Sequence, residues 1–311
     1  KANLCQCGWF CFHLTIRFME QTLCENQPET CFLCYYKVNV KKESGEGIDL
    51  VIDFHTHCFP DQLADKAVTS LSAKAGIPAM LDGTLGDLKR SMEANCITGS
   101  VLLNIATKPS QAMNINNWAT QVQDEDVISF GSIHPLCEDW VNELKRIKEL
   151  GLRGIKFHPE YQEFYVDDEA MFPIYELAFD LGLVIAFHAG EDIGFPPPYH
   201  CTPERLATLL QRFKGGKIVA AHMGGYKYWD EVEKHLVGKD IYFDTSYAVG
   251  IMDSEQAKRI IFNHGYDRIL FGSDSPWKDQ GWSVQSIKNL GLGPEVEEAI
   301  FYKNAVRLLG L

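Results

Sequence analysis

The chain has 311 residues, of which 46% are hydrophobic and 23% charged, as in ordinary soluble globular proteins that are large enough for one α/β barrel. Its formal net charge of −13 argues against a nucleic acid or an anionic membrane surface as a partner, because phosphate groups are bound by clustered Lys and Arg. No apolar run approaches the ~20 residues of a transmembrane helix, and no signal peptide is recognisable. We therefore expect a cytoplasmic enzyme that acts on a small-molecule substrate. The enzyme could be a homo-oligomer.

The composition of the chain changes near residue 47. Residues 1–47 contain six cysteines without a helical or strand-like period, and residues 41–47 have the polar, glycine-containing composition of a flexible linker. Cys5-x-Cys7 and Cys31-x-x-Cys34 could belong to a small metal or redox module, but their spacing matches no common zinc pattern. We therefore predict a poorly ordered cysteine-rich extension over residues 1–47 and a catalytic domain over residues 48–311.

From residue 48 onward, short apolar runs alternate with longer amphipathic stretches, which is typical of buried parallel strands connected by helices. Thr202 and Ser254 are the predicted N-caps of two of these helices. Eight strands with helices between them predict a closed (β/α)₈ TIM barrel. The nucleotide-binding form of the alternative, an open doubly wound sheet, loses support because no Gly-x-Gly-x-x-Gly follows the first strand. The predicted strands are residues 48–54, 99–104, 127–133, 153–157, 183–187, 217–221, 241–244 and 268–271, and the helices include 138–150, 168–181, 203–213, 229–236 and 254–264.

Histidine and aspartate residues stand at the ends of several predicted strands. His55 and His57 close the first strand at alternating positions, so both imidazoles point to the same side. His188 ends the fifth strand, His222 ends the sixth, and Asp274 follows the eighth. The carboxyl ends of barrel strands form one mouth, where the active sites of this fold lie. Imidazole and carboxylate ligands suit Zn²⁺, and also Mn²⁺ or Fe²⁺, so we predict a catalytic divalent-metal site.

At this point the chain resembles a known family. The Asp53-Phe54-His55-Thr56-His57 opening, the strand-end histidines and the Gly272-Ser273-Asp274-Ser275-Pro276 segment look like the amidohydrolase superfamily. More narrowly, they resemble the amidohydrolase-related branch that includes aminocarboxymuconate-semialdehyde decarboxylase. The resemblance covers about residues 48–311 and is specific for the superfamily, but it indicates no particular substrate.

The resemblance implies a role for each strand-end residue. His55, His57, His188 and Asp274 map to the family's metal ligands, and Asp274 would also accept a proton from the attacking water. His222 resembles the acid/base group of single-metal members, whereas in two-metal members it would bind the second ion. We favour one ion over two.

Four further residues are candidates for the same mouth. Lys156 on the fourth strand could be a carboxylated bridge between two metals, or a cation that orients a substrate carboxylate. Its neighbour His158 could line the pocket, as could His134 after the third strand. Trp277, just after the eighth strand, could pack against substrate or only against the barrel rim.

Three catalytic functions and one structural function are compatible with these residues. Hydrolysis of an amide, ester or lactone by metal-activated water is the preferred one. Non-oxidative decarboxylation of a small carboxylic acid is the alternative; it needs a fixed cation, and because no arginine stands at a strand end near the mouth, Lys156 would have to serve. A TatD-like nuclease is disfavoured by the acidic net charge. A structural metal site is disfavoured because a mixed His/Asp set is typical of catalytic sites.

Overall fold

Short parallel strands follow one another around a barrel in residues 50–311, which are the residues that the computed structural model describes. Each strand is shorter than the predicted apolar run that it overlaps, and β1 also extends to Thr56, two residues past its run. The strands are β1 Ile52–Thr56, β2 Gly99–Leu103, β3 Val127–Phe130, β4 Gly154–Phe157, β5 Val184–Phe187, β6 Ile218–Ala220, β7 Tyr242–Asp244 and β8 Ile269–Leu270.

Backbone hydrogen bonds close these strands into a ring. Strands β1 to β3 pair in order, as do β4 to β8. At one seam the amide of Gly131 donates to the carbonyl of Gly154 at 2.9 Å, and the amide of Lys156 donates to the carbonyl of Gly131 at 3.0 Å. At the other seam the amide of Phe54 donates to the carbonyl of Phe271 at 2.8 Å. The predicted TIM barrel is confirmed.

Helices surround the strands, and all five of the helices predicted above are present. None of the helices within residues 50–311 is long and apolar enough to span a membrane. The α-helices are α1 Asp61–Ala75, α2 Leu85–Ala94, α3 Ala112–Val122, α4 Trp140–Glu149, α5 Pro159–Gln162, α6 Phe172–Asp180, α7 Pro203–Arg212, α8 Trp229–His235, α9 Ser254–His264, α10 Gln280–Lys288, α11 Pro294–Glu298 and α12 Asn304–Leu309; 3₁₀ turns cover Pro109–Gln111, Glu169–Met171 and Tyr266–Arg268, and a π-helical turn covers Ala299–Lys303.

The apolar core has two layers. The larger cluster lies between the strands and the surrounding helices, and the smaller one joins strand residues such as Phe54 and Phe130 to Leu308 of α12. The last turn of α12 lies at the amino ends of the strands, because Arg153 and Lys217, which precede β4 and β6, donate to the carbonyls of Leu309 and Leu308. The amino end of the barrel is therefore packed, and the carboxyl end is left for a site.

Two helix caps were predicted from the sequence, and one of them is wrong. The Thr202 side chain accepts from the backbone amide of Arg205 at the start of α7, as predicted. At α9 the cap is Asp253, whose carboxylate accepts from the amide of Gln256 at 2.9 Å, and Ser254 is the first helical residue. Asp and Ser are comparable caps, so the sequence could not separate two adjacent candidates. The predicted extension over residues 1–47 lies outside the described residues and stays a prediction.

Candidate active site

Three predicted metal ligands converge at the carboxyl end of the barrel. His55 lies in β1, His57 follows that strand, and Asp274 follows β8. The Nε2 atoms of the two histidines are 3.1 Å apart, and each lies 3.3 Å from Oδ1 of Asp274. Ligand atoms around a tetrahedral Zn²⁺ ion with bonds of about 2.0–2.1 Å are separated by about 3.3 Å, so the spacing of these three atoms fits a metal ion.

The second ring nitrogen of each of these histidines is held by an acceptor. Nδ1 of His55 donates to Oδ2 of Asp244 at 2.8 Å, and Nδ1 of His57 donates to the carbonyl oxygen of Leu103 at 2.9 Å. An imidazole that carries its proton on Nδ1 presents a lone pair at Nε2. With these tautomers both Nε2 atoms face Asp274 as acceptors, and a metal cation between the three groups would satisfy them all.

His188 and His222 form a second pair beside the first. Nδ1 of His222 donates to the carbonyl oxygen of Ser246 at 2.9 Å, and Nε2 of His188 lies 3.4 Å from the carbonyl oxygen of Glu191. The two remaining nitrogens, His188 Nδ1 and His222 Nε2, are 3.1 Å apart. Both present lone pairs, so a metal ion or a shared proton would stabilise this pair too.

The fourth predicted ligand is placed less directly than the other three. His55, His57 and Asp274 bring their ligand atoms within 4.8 Å of one another, whereas His188 forms such a group with His158 and Asp192. His188 approaches the first group through His222, whose ring centroid is 4.8 Å from that of His188 and 5.2 Å from that of His55. The role of His188 as a ligand remains a prediction.

Burial sets the charge states of the cluster. Desolvation, reinforced by the charge of Lys156, lowers the pKa of His55 to about 4, so this imidazole is neutral at pH 7. Desolvation also holds the pKa of His188 well below its usual value. Burial alone would raise the pKa of Asp274, but the neighbouring imidazoles outweigh it and the pKa is lowered. Neutral imidazoles and an ionised carboxylate are the forms that bind a divalent metal.

Lys156 brings an unpaired cation to this cluster. Its side chain lies in β4 and is 1% exposed, and Nζ has no hydrogen-bond partner among the residues that the structure describes. Burial lowers the pKa of Lys156 to about 8, while Asp244 and Asp274 oppose the shift, so the amine is mostly protonated at pH 7. A buried ammonium group without a partner is costly, and an anionic ligand would relieve that cost.

The other predicted candidates divide into two groups. His158 and Trp277 line the same cavity as the histidine cluster. The His158 ring stacks on that of His188 with centroids 4.2 Å apart, and its Nε2 lies 3.1 Å from Oδ2 of Asp192. His134 is buried, its Nδ1 accepts from the backbone amide of Leu136, and it is not among the residues that line the cavity.

The roles of two buried aspartates at this end of the barrel were not predicted from the sequence, although Asp53 belongs to the segment that resembles the amidohydrolase superfamily. Asp244 ends β7 and orients His55, and Asp53 in β1 accepts from the amide and hydroxyl of Ser273 and from Nε2 of Gln280. Burial raises the pKa of Asp53 to about 6, although these hydrogen bonds favour its ionised form. The rule that found the histidines, a polar residue at the end of an apolar strand, also applies to Asp244.

The backbone is strained where the cluster meets the cavity. His222, Tyr247 and Asp274 all line the cavity and all adopt left-handed φ values, of +59°, +48° and +72°. Non-glycine residues rarely adopt this conformation, and such residues concentrate at functional sites. The cavity itself has a volume of about 700 Å³, which is within the range of small-molecule sites.

The family model described as amidohydrolase matches residues 52–311 of the chain. The chain belongs to the amidohydrolase family. The barrel, the two histidines at the end of β1 and the aspartate after β8 all lie within the matched residues, so the family resemblance drawn from the sequence is confirmed.

Several known proteins are similar to this amidohydrolase. The 2-amino-3-carboxymuconate-6-semialdehyde decarboxylase of Dictyostelium discoideum is 29% identical in an alignment of 320 positions that covers 88% of this chain and 88% of the relative. The structure of 5-carboxyvanillate decarboxylase from Sphingomonas paucimobilis has a TM-score of 0.64 at 17% identity and covers 85% of this chain and 99% of its own. The dihydroxybenzoic acid decarboxylase of a Polaromonas species, solved with manganese and the inhibitor 2-nitroresorcinol, has a TM-score of 0.63 at 17% identity and covers 85% of this chain and 98% of its own.

Proposed function

We propose that this amidohydrolase-family chain is a divalent-metal-dependent, non-oxidative decarboxylase of a small carboxylic acid. The observation that carries the proposal is Lys156: a buried, largely protonated amine that lines the cavity and has no hydrogen-bond partner among the described residues. A substrate carboxylate would supply the missing counter-charge. Lysine thus takes the part for which arginine is otherwise the best suited side chain.

The relatives support decarboxylation over hydrolysis, although the sequence alone favours hydrolysis. The preference for hydrolysis depended on the lack of an arginine at the mouth, and the unpaired Lys156 removes that objection. Three similar proteins are named decarboxylases, one of them with bound manganese. We therefore propose that the site holds a single divalent ion, which is either Mn²⁺ or Zn²⁺.

The residues of the site can divide the work of the reaction. His55, His57 and Asp274 would hold the ion, with His188 as the proposed fourth ligand, and the ion would draw electron density from the substrate. Lys156 would hold the substrate carboxylate in position. The bond between that carboxylate and its carbon breaks, carbon dioxide leaves, and the electron pair stays on the carbon. His222 would take up a proton from solvent at Nε2 and pass it to that carbon, with Nδ1 kept in place by the carbonyl of Ser246.

The proposal is tested by carbon dioxide release from a panel of aromatic acids, with the protein loaded with Mn²⁺. Wild type is compared with Lys156→Met, which keeps the length of the side chain and removes its charge, and with Lys239→Met at an exposed lysine before β7. We expect kcat/KM to fall by about 100-fold or more for Lys156→Met and to stay unchanged for Lys239→Met. Equal carbon dioxide release by all three proteins would show that Lys156 does not contribute to the reaction.

A further inference from the structure

The cavity has a polar end and an apolar wall. The polar end is formed by the histidine cluster, Lys156 and Asp274 at the carboxyl ends of the strands. A second part of the lining comes from α1, from α3 and from the segments that follow α1 and β2. The apolar side chains on it include Leu63, Leu71, Ile77, Ile105, Ile115 and Trp118.

Two polar side chains on the apolar wall, Gln111 and Asn104, already form hydrogen bonds within the protein. Oε1 of Gln111 accepts from the amide of Lys108 at 3.0 Å and from the hydroxyl of Thr107 at 3.1 Å. Nδ2 of Asn104 donates to the carbonyl of Phe130 at 2.8 Å. The bonded atoms of Gln111 and Asn104 therefore have little capacity left for a polar ligand, and the apolar side chains of this wall favour an apolar one.

Within residues 50–311, positively charged side chains are found at the polar end of the cavity and not on the apolar wall. Of the described residues that line the cavity, Lys156 is the one lysine, and none is an arginine. The acidic residues Glu191 and Asp192 lie on the lining as well. One substrate carboxylate can be matched by Lys156 and the metal, whereas a second carboxylate on the far part of the substrate would meet apolar or acidic surface.

The volume of the cavity also favours a substrate larger than a single-ring acid. A cavity of about 150 Å³ is enough to hold one benzene ring. The cavity here measures about 700 Å³, so a single-ring acid would leave most of the apolar wall in contact with water. Leu63 on that wall is 51% exposed although it lines the cavity, which marks apolar surface that a larger substrate would cover.

We propose that the substrate is an aromatic monocarboxylic acid with more than one ring. Its carboxylate lies at Lys156 and its outer ring lies against the part of the apolar wall that includes Leu63 and Trp118. The inference rests on the proposed decarboxylation for the position of the carboxylate. The selection for a second ring rests on the wall alone.

Binding calorimetry on the Mn²⁺-loaded protein tests the inference without requiring turnover. The probes are 2-hydroxybenzoate and 1-hydroxy-2-naphthoate, which carry the same carboxylate and neighbouring hydroxyl and differ by one ring. We expect the naphthoate to bind at least about 30-fold more tightly, since its second ring removes roughly 80 Å² of further apolar surface from water. Equal dissociation constants for the two acids would overturn the inference.

A matched pair of variants locates the effect. Leu63→Gln changes the apolar wall and should reduce the preference for the naphthoate several-fold. Leu136→Gln changes a leucine that is 73% exposed and lies outside the cavity lining, and it should leave the preference unchanged. An unaltered preference in Leu63→Gln would contradict the proposed position of the outer ring.

Carbon dioxide release in the same samples separates this inference from the proposed reaction. Tight naphthoate binding without carbon dioxide release would support the substrate class and overturn decarboxylation. Carbon dioxide release from both acids, with equal affinity for them, would support the reaction and overturn the substrate class.

Discussion

Replacing Asp244 by Asn should weaken metal binding although Asp244 is not a predicted ligand. The carboxylate is fully buried, and its two oxygens have different partners. Oδ1 accepts from the backbone amides of His222 and Ser246, each at 3.1 Å, whereas Oδ2 accepts from Nδ1 of His55 at 2.8 Å. In the variant, the amide oxygen of Asn must therefore stay at the Oδ1 position, and its NH₂ group then faces His55.

The size of the effect follows from this geometry. Two donors cannot face each other, so His55 keeps its proton on Nδ1 only where the hydroxyl of Ser246, 2.9 Å away, replaces Asp244 as the acceptor. Otherwise the proton moves to Nε2, where it blocks the lone pair that we propose binds the metal. The lost hydrogen bond to a charged acceptor is worth about 1.5–3 kcal/mol. We therefore expect metal affinity to fall by about 10- to 100-fold, which is the usual range for partners that orient metal-binding histidines.

Competition with a chromophoric chelator measures this affinity directly. Asp240→Asn is the matched control, because it makes the same change at an exposed aspartate just before β7. Far-UV and near-UV circular dichroism would verify that both variants are folded. Wild-type affinity in a folded Asp244→Asn protein would refute the assignment of His55 as a ligand through Nε2.

Three further predictions concern the fold. Burial lowers the pKa of His264 to about 4, so between pH 6.5 and 4 this histidine is protonated in the unfolded chain and neutral in the folded chain. His264 should therefore lower the free energy of unfolding by about 3 kcal/mol over this pH range. His264→Gln should remove that part of the pH dependence in urea titrations. Gly190→Ala should lower the free energy of unfolding by about 2–4 kcal/mol, since φ is +87° and the new Cβ would overlap the backbone nitrogen of Tyr226. Gly151→Ala, whose new Cβ would have nothing within 4 Å, should lower it by about 1–2 kcal/mol. Asp253→Ala should lower the stability by about 1 kcal/mol and Ser254→Ala by much less, and equal losses would contradict the observed cap.

The strands could be predicted from the sequence because their signal is local. Each is a short apolar run between polar stretches, and a strand buried on both faces needs nothing more to be recognised. The alternation of His55 and His57 predicts their convergence for the same reason, and their Nε2 atoms are indeed 3.1 Å apart. The choice between Asp253 and Ser254 as a cap depends instead on where a helix begins to within one residue, which local patterns leave open.

The charge balance of the site could not be predicted in the same way. Asp244 stands at a strand end like the histidines, but its importance comes from a contact with His55, which is 189 residues away. Lys156 is unpaired because none of the described elements around it places a hydrogen-bond acceptor within reach of Nζ. His134 has the local signature of a site residue, yet its ring is not part of the cavity lining, because a strand-end position does not determine the direction of a side chain after the strand has ended.

Turnover in isotopically labelled water tests the central claim, decarboxylation at this site, most directly. The Mn²⁺-loaded protein is incubated with an accepted acid in D₂O and, separately, in water enriched in ¹⁸O, and the organic product is analysed by mass spectrometry. We expect a product that has lost carbon dioxide, carries one deuterium at the carbon that bore the carboxylate and contains no ¹⁸O. A product that retains the carboxylate and contains ¹⁸O would contradict decarboxylation and identify the chain as a hydrolase.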